Sequence, residues 1–249
     1  MGDGQKGGER LVWIEALKGL AMLWIVLNHL VEILFGSPYF ANPSGRWPPL
    51  AERIAQAQPL AVDGIAGIAV NLLRWVGWCG DQGVQIFLIV SGFGLAWSLL
   101  QRNAGADVAV GSFFWRRAKR IYPLWWAAHL LLIVTGFLFD DGLYLSDPRL
   151  VPSLLGVRFL SSAFAYGAPA WWYIGLQLQL YLVFPLLWAL GRKRGAGSVL
   201  VVGVAVTLVS RAVGLLVFDN YLDPWLRGAF FPTRLAEFAF GIWFAYWLR

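Results

Sequence analysis

Residues 15–32 read EALKGLAMLWIVLNHLVE, an apolar run interrupted by ionisable groups at Glu15, Lys18, His29 and Glu32. Eleven residues separate Lys18 from His29, about three turns at 3.6 residues per turn, so both side chains fall on one helical face. A polar stripe therefore runs down a greasy rod. In a bilayer such groups are costly against lipid; they face protein or a wet cavity and are functional candidates by default.

Composition places the rod in a membrane. Hydrophobic residues make up 59% of the chain and charged residues 14%, against about 25% charged in a soluble domain, and the mean hydropathy is +0.61. Fifteen Trp and eight Tyr fit amphipathic rings gathered where hydrocarbon meets headgroups. A pI near 9.7 does not mark a nucleic-acid binder, because the basic residues sit mainly in short segments between apolar runs. Cys79 is the single cysteine, which excludes an intrachain disulfide and a multi-Cys metal site. The polar start MGDGQKGGER lacks a small-residue cleavage site, so the expectation is an uncleaved first span, and Lys6 breaks the myristoylation pattern.

A hydrocarbon core of about 30 Å needs roughly 20 apolar residues per helix. Six stretches qualify or nearly do: 16–35, 83–100, 121–139, 171–190, 198–218 and 233–248. The segment through Lys18, the 101–120 connection, the 191–197 loop and Arg249 carry twelve of the twenty Lys and Arg residues; the longer alternate connections carry six, and Arg211 and Arg234 lie in spans. The positive-inside rule then puts the N-terminus in the cytoplasm and the loops at 36–82, 140–170 and 219–232 outside. Within the first outer loop, SPYFANPSGRWPP reads as irregular. IAGIAVNLLRWVGW reads as a short apolar helix, interfacial, re-entrant or packed over the helix ends. The 140–170 loop mixes turn residues with apolar pieces and is expected to cap the outer face. The fold expected is all-α, a single polytopic domain over residues 1–249.

His29 stands some 16 Å along the helix from Lys18, and Glu32, three residues on, can touch the imidazole and raise its basicity. That makes His29 a serviceable general base toward a hydroxyl, or else a structural histidine bonded to a neighbouring helix. Glu15 and Lys18 are also three apart and read first as an interfacial ion pair. The densest basic cluster is WRRAKRIYPLWW, with Arg116, Arg117, Lys119 and Arg120 ahead of Tyr122 and Pro123. It can be plain topology signal, but Arg offers the bidentate geometry that phosphate oxygens accept, and Arg117 and Arg120 are expected to point together. Ser91, Gln177, Gln179, Arg211 and the Arg234/Glu237 pair recur inside spans, where polar groups are usually interhelical glue. His129, amid LLLIV, has no acidic neighbour within a turn and is expected to be packed or hydrogen-bonded.

Taken together, ALKGLAMLWIVLNH, GVQIFLIVSGFGLAW, FFWRRAKRIYPLWW, WWYIGLQLQLYLVFP and RLAEFAFGIWFAY resemble, in order, the motifs of the membrane acyltransferase-3 family. The resemblance implies transfer of an acyl group, commonly acetyl, from cytoplasmic acyl-CoA to a hydroxyl of a carbohydrate or lipid-linked acceptor at a bacterial inner membrane. By position it implies that His29 is the family's essential His and Lys18 its Arg-x10-His cation, with Glu15 and Glu32 beside them. Arg117 and Arg120, flanked by Arg116 and Tyr122, match the donor-binding Arg-x-x-Arg, and Ser91, Trp172 and Gln177 are substrate-side candidates. No metal is implied. Lys18 lacks the planar fork of Arg, and Gln177 stands where many members have Glu. Members also carry more spans than the six read here, so a fragment or shortened form is expected. A proton-coupled transporter and a non-catalytic membrane partner remain open as other classes.

Overall fold

The computed structural model describes residues 12–35, 59–102, 108–139, 145–164, 166–217 and 228–249. The polar N-terminal stretch and SPYFANPSGRWPP lie outside these. Every regular element among the described residues is helical. Their contacts divide the chain into two compact units, Met1–Ala104 with Phe240–Arg249, and Gly105–Ala239.

In the first unit, α1 (Val12–Phe35) is 24 residues long, about 36 Å at 1.5 Å per residue and enough to cross a hydrocarbon layer. Its buried residues, Ile14, Ala21, Asn28 and Val31, form one stripe. Opposite them runs α2 (Gly64–Trp78), which passes through a 3-10 turn at Cys79–Gln82 into α3 (Gly83–Arg102). Close approach is set by Gly77, Gly80 and Gly83: a β-carbon at each would collide with Val31, with the Trp24 carbonyl, and with Ala21 and Ile25 respectively. Two hydrogen bonds fix the register, Trp24 Nε1 to the Val76 carbonyl at 2.6 Å and Asn28 Nδ2 to that of Gly77 at 3.0 Å. At the far end Trp13 meets Phe93 at 5.5 Å between centroids.

The partner of α1 is thus the chain from about 74 to 93, earlier than the apolar window at 83–100 suggests. The last turn of α2 lies alongside α1 instead of covering its end. Hydropathy locates grease; small residues decide where two helices touch.

The second unit holds α4 (Val110–Phe139), the short α5 (Leu150–Leu154) and α6 (Ser161–Phe164), then α7 (Trp172–Arg194) and α8 (Ala196–Leu216). α7 and α8 form a hairpin turned by Gly195, whose φ of +86° suits glycine. Arg192, Lys193 and Arg194 close α7, where cations complement the helix dipole. The final helix, α9 (Leu235–Trp247), follows a 3-10 turn at Phe231–Arg234. Its residues up to Ala239 belong to this unit and the remainder to the first.

Among the described residues five helical stretches are long and apolar enough to cross a membrane: Val12–Phe35, Gly64–Gln101, Val110–Phe139, Trp172–Arg194 and Ala196–Leu216. The sixth expected span, 233–248, is the 13-residue α9; it covers about 20 Å, and the preceding 3-10 turn adds roughly 8 Å.

The 140–170 segment was expected as an outer cap, but its described part descends along α4. Tyr122 Oη donates to the Leu155 carbonyl at 3.2 Å, Trp125 Nε1 to that of Ser153 at 3.1 Å, and Trp126 Nε1 to that of Leu154 at 3.2 Å. Tyr122 is seventeen residues before Phe139, about 26 Å down the helix. Three aromatic side chains thus bond carbonyls at the C-terminal end of a five-residue helix, where the intrahelical ladder runs out.

Candidate functional site

On α1, Glu32 Oε2 lies 3.1 Å from His29 Nδ1, with the His29 side chain 47% exposed and that of Glu32 19%. The packed stripe and the Trp24 and Asn28 bonds fix the rotation of α1, which keeps His29, one step of about 100° beyond Asn28, off the helix–helix seam. Because a carboxylate can only accept, Nδ1 carries the proton, and in the neutral ring Nε2 presents its lone pair. Lys18 Nζ bonds Glu15 Oε1 at 3.0 Å, both exposed, which makes this the interfacial ion pair expected from spacing. Ser91 lies in α3, in the part that runs beside the first turn of α1.

In the second unit the basic cluster occupies the first turns of α4. Arg116, Lys119 and Arg120 are exposed, and Lys119 Nζ sits 4.8 Å from the Trp115 ring. Arg117 turns inward, its guanidinium carbon 5.4 Å from the ring centroids of both Phe113 and Tyr181. Arg117 and Arg120 therefore do not share one environment, despite their spacing.

The cluster is also deeper than its place ahead of an apolar run implies. Phe113 stacks on Phe184 at 5.5 Å. Phe184 is eight residues, about 12 Å, from the basic end of α7, and Arg117 is about 6 Å farther along. Arg117 is thus level with the middle of α7.

Tyr122 was expected beside the donor cluster; its hydroxyl is committed to the Leu155 carbonyl. Gln177 is buried and accepts from Tyr173 Oη at 2.9 Å, while Trp172 stacks near Phe164 at 6.3 Å. Gln179 spans a turn: its amide donates to the Gly175 and Ala229 carbonyls, and its oxygen accepts from the Phe231 N–H at 3.1 Å. Arg211 and Arg234 approach the same oxygen of Glu237, at 4.0 and 3.3 Å.

A polar centre lies between α4 and the descending segment; of its members sequence reasoning named only His129, which is hydrogen-bonded as expected. Arg158 is fully buried and donates to Ser153 Oγ at 2.6 Å and to the carbonyls of Phe164, Tyr166 and Ala168 at 3.0, 2.6 and 3.2 Å. Ser153 in turn donates to His129 Nε2 at 2.8 Å, and His129 Nδ1 donates to the Trp125 carbonyl at 2.9 Å. Burial pushes the Arg158 guanidinium down to about 10, so it stays charged at neutral pH. Gly175 lets α7 approach, since a β-carbon there would strike Gly156 and Arg158.

This is a clasp that holds the descending segment to α4. Arg158→Met would remove the bonds to the Phe164 and Ala168 carbonyls and leave that of Tyr166 without its donor, the last at about 1–3 kcal/mol. The expected result is a clearly lowered melting temperature in detergent, with new proteolytic cleavage between residues 145 and 170; an unchanged melt would refute the clasp.

A cavity of about 460 Å³ lies beside the segment, lined by Asp147, Pro148, Arg149, Pro152, Leu160 and Ala163. None of the sequence-derived site residues lines it. Among the described residues no three His, Cys, Asp or Glu converge to hold a metal.

Long apolar helices with ionisable side chains set between and along them define an integral, multi-pass membrane protein with an all-α fold. The profile of the acyltransferase-3 family, described as "Acyltransferase domain", matches residues 11–249, and the chain belongs to this family. One relative, "Acyltransferase MdmB" of Streptomyces mycarofaciens, is 29% identical over 199 residues, covering 68% of this chain and 47% of the relative. The chain thus matches about half the length of that protein. No solved structure matches.

Proposed function

We propose that the protein moves an acyl group, acetyl in the first instance, from cytoplasmic acyl-CoA to a hydroxyl of a carbohydrate or lipid-linked acceptor, in a bacterial cytoplasmic membrane. Family membership supports acyl transfer, and the relative's origin supports a bacterial setting. The observation that carries the reading is the His29–Glu32 contact at 3.1 Å.

With Nδ1–H held by Glu32, His29 Nε2 takes the proton of the acceptor hydroxyl as its oxygen attacks the thioester carbonyl. The tetrahedral intermediate collapses with loss of CoA thiolate. His29 returns the proton to the sulfur, leaving an ester and CoA. Arg117 and Arg120 bind donor phosphates, as guanidinium groups do, and Lys18 with Glu15 closes the cytoplasmic end of the His29 stripe. No serine or cysteine nucleophile is needed, so the transfer is direct.

The test is incubation of the purified protein with labelled acetyl-CoA and a panel of glycans in detergent, without an ion gradient. Label in an ester product is expected. Acyl-CoA left intact without a gradient but moved across vesicles with one would replace the enzyme by a transporter using the same His–Glu pair.

A further inference from the structure

We propose that Tyr181, on α7, is a positioning residue for the acyl-CoA site: its ring and that of Phe113 hold the Arg117 guanidinium ready for a phosphate. The inference rests on the assignment of Arg117 to the donor. A cation level with the middle of a membrane helix is expensive unless something compensates it. The ionisable groups near enough to act on Arg117 are Tyr181, whose hydroxyl also hydrogen-bonds it, Arg120 and Arg116, with no carboxylate among them. Its Nε is buried and bonds to nothing.

What surrounds the guanidinium is aromatic. Phe113 and Tyr181 each lie 5.4 Å from it, they meet edge to face at 6.3 Å, and Phe113 is buried and stacked on Phe184. Rings attract a cation through their faces but do not accept hydrogen bonds as a carboxylate does. Apart from the bond to the Tyr181 hydroxyl, the N–H groups of Arg117 keep their capacity for oxygen, while the rigid wall removes the rotamer freedom that a long side chain would lose on binding. An unneutralised, immobilised guanidinium beside two further arginines is a seat for a multiply charged phosphate ligand.

The test measures the Kd of the full chain for acetyl-CoA by calorimetry in detergent. Tyr181→Leu should weaken binding by about three- to tenfold, the range of a partly desolvated cation–π contact. Tyr181→Phe, which keeps the ring and loses only the hydroxyl that bonds Arg117, should cost clearly less than Tyr181→Leu. In an Arg117→Ala background Tyr181→Leu should add nothing, since both changes remove one interaction. An undiminished Tyr181→Leu effect in that background, or equal loss with Tyr181→Phe, would overturn the positioning role. If Arg117→Ala weakens binding and Tyr181→Leu does not, Tyr181 is excluded alone; if Arg117→Ala leaves Kd unchanged, the donor assignment falls as well. Should Tyr181→Leu fail to accumulate, Tyr181→Met supplies bulk without a ring and is judged identically.

Discussion

His29→Ala is expected to abolish acyl transfer, with a loss of about 10²- to 10⁴-fold, the usual contribution of a positioned general base. The protein should still insert and remain folded. His29 lies off the stripe formed by Ile14, Ala21, Asn28 and Val31, and its hydrogen bond is to Glu32 on the same helix. Its removal therefore opens no contact between helices. Affinity for acetyl-CoA should be retained, because the phosphate-binding groups assigned here are on α4. Glu32→Gln should show a smaller loss in turnover: the amide can still accept Nδ1–H, but it cannot stabilise the imidazolium that forms as the hydroxyl is deprotonated. The readout is labelled ester formed per unit of purified protein. Wild-type turnover by His29→Ala would remove the base from the mechanism.

Much of the fold was legible from composition, because an apolar stretch of sufficient length has few alternatives to a membrane helix. Which residues of two such helices face each other was not. α1 pairs with residues 74–93 because Gly77, Gly80 and Gly83 let it approach, and a hydropathy window is blind to three glycines spaced by one turn. The Arg-x-x-Arg spacing put Arg117 and Arg120 on one face of α4, yet Phe113 and Tyr181 draw only the first inward. The distinction depends on α7, more than sixty residues away in sequence.

Tyr122 adjoins the basic cluster in the chain but bonds a residue 33 positions on. Arg158 was the hardest to foresee. Flanked by Val157 and Phe159 in a segment of turns, it looks like a stray cation until three carbonyls and Ser153 Oγ are seen to converge on its guanidinium. The available signal was indirect: a charged residue among apolar neighbours needs several acceptors, and broken helices provide them.

Gly80→Val is expected to cost the fold more than any substitution of a site residue. A β-carbon at Gly80 would lie 2.8 Å from Asn28 Cβ and closer still to the carbonyl oxygen of Trp24. The first obstacle sits on a buried residue whose amide bonds Gly77, and the second is main chain. Neither can rotate away. Overpacking where side chains can move costs about 1–3 kcal/mol, and here the relief must come from separating α1 from the 3-10 turn. That separation would also strain the Trp24 and Asn28 bonds that set the rotation of α1, so His29 would be displaced along with the fold. The expected outcome is poor accumulation in the membrane and a melting temperature well below wild type in detergent. Gly197→Ala, in the first turn of α8 with nothing within 4 Å of its β-carbon, is the control; it should be neutral or slightly stabilising, as alanine favours helix over glycine by about 1 kcal/mol. If Gly80→Val melted like Gly197→Ala, α1 would not be packed through its glycine seam, and the placement of His29 and Glu32 would lose its structural basis.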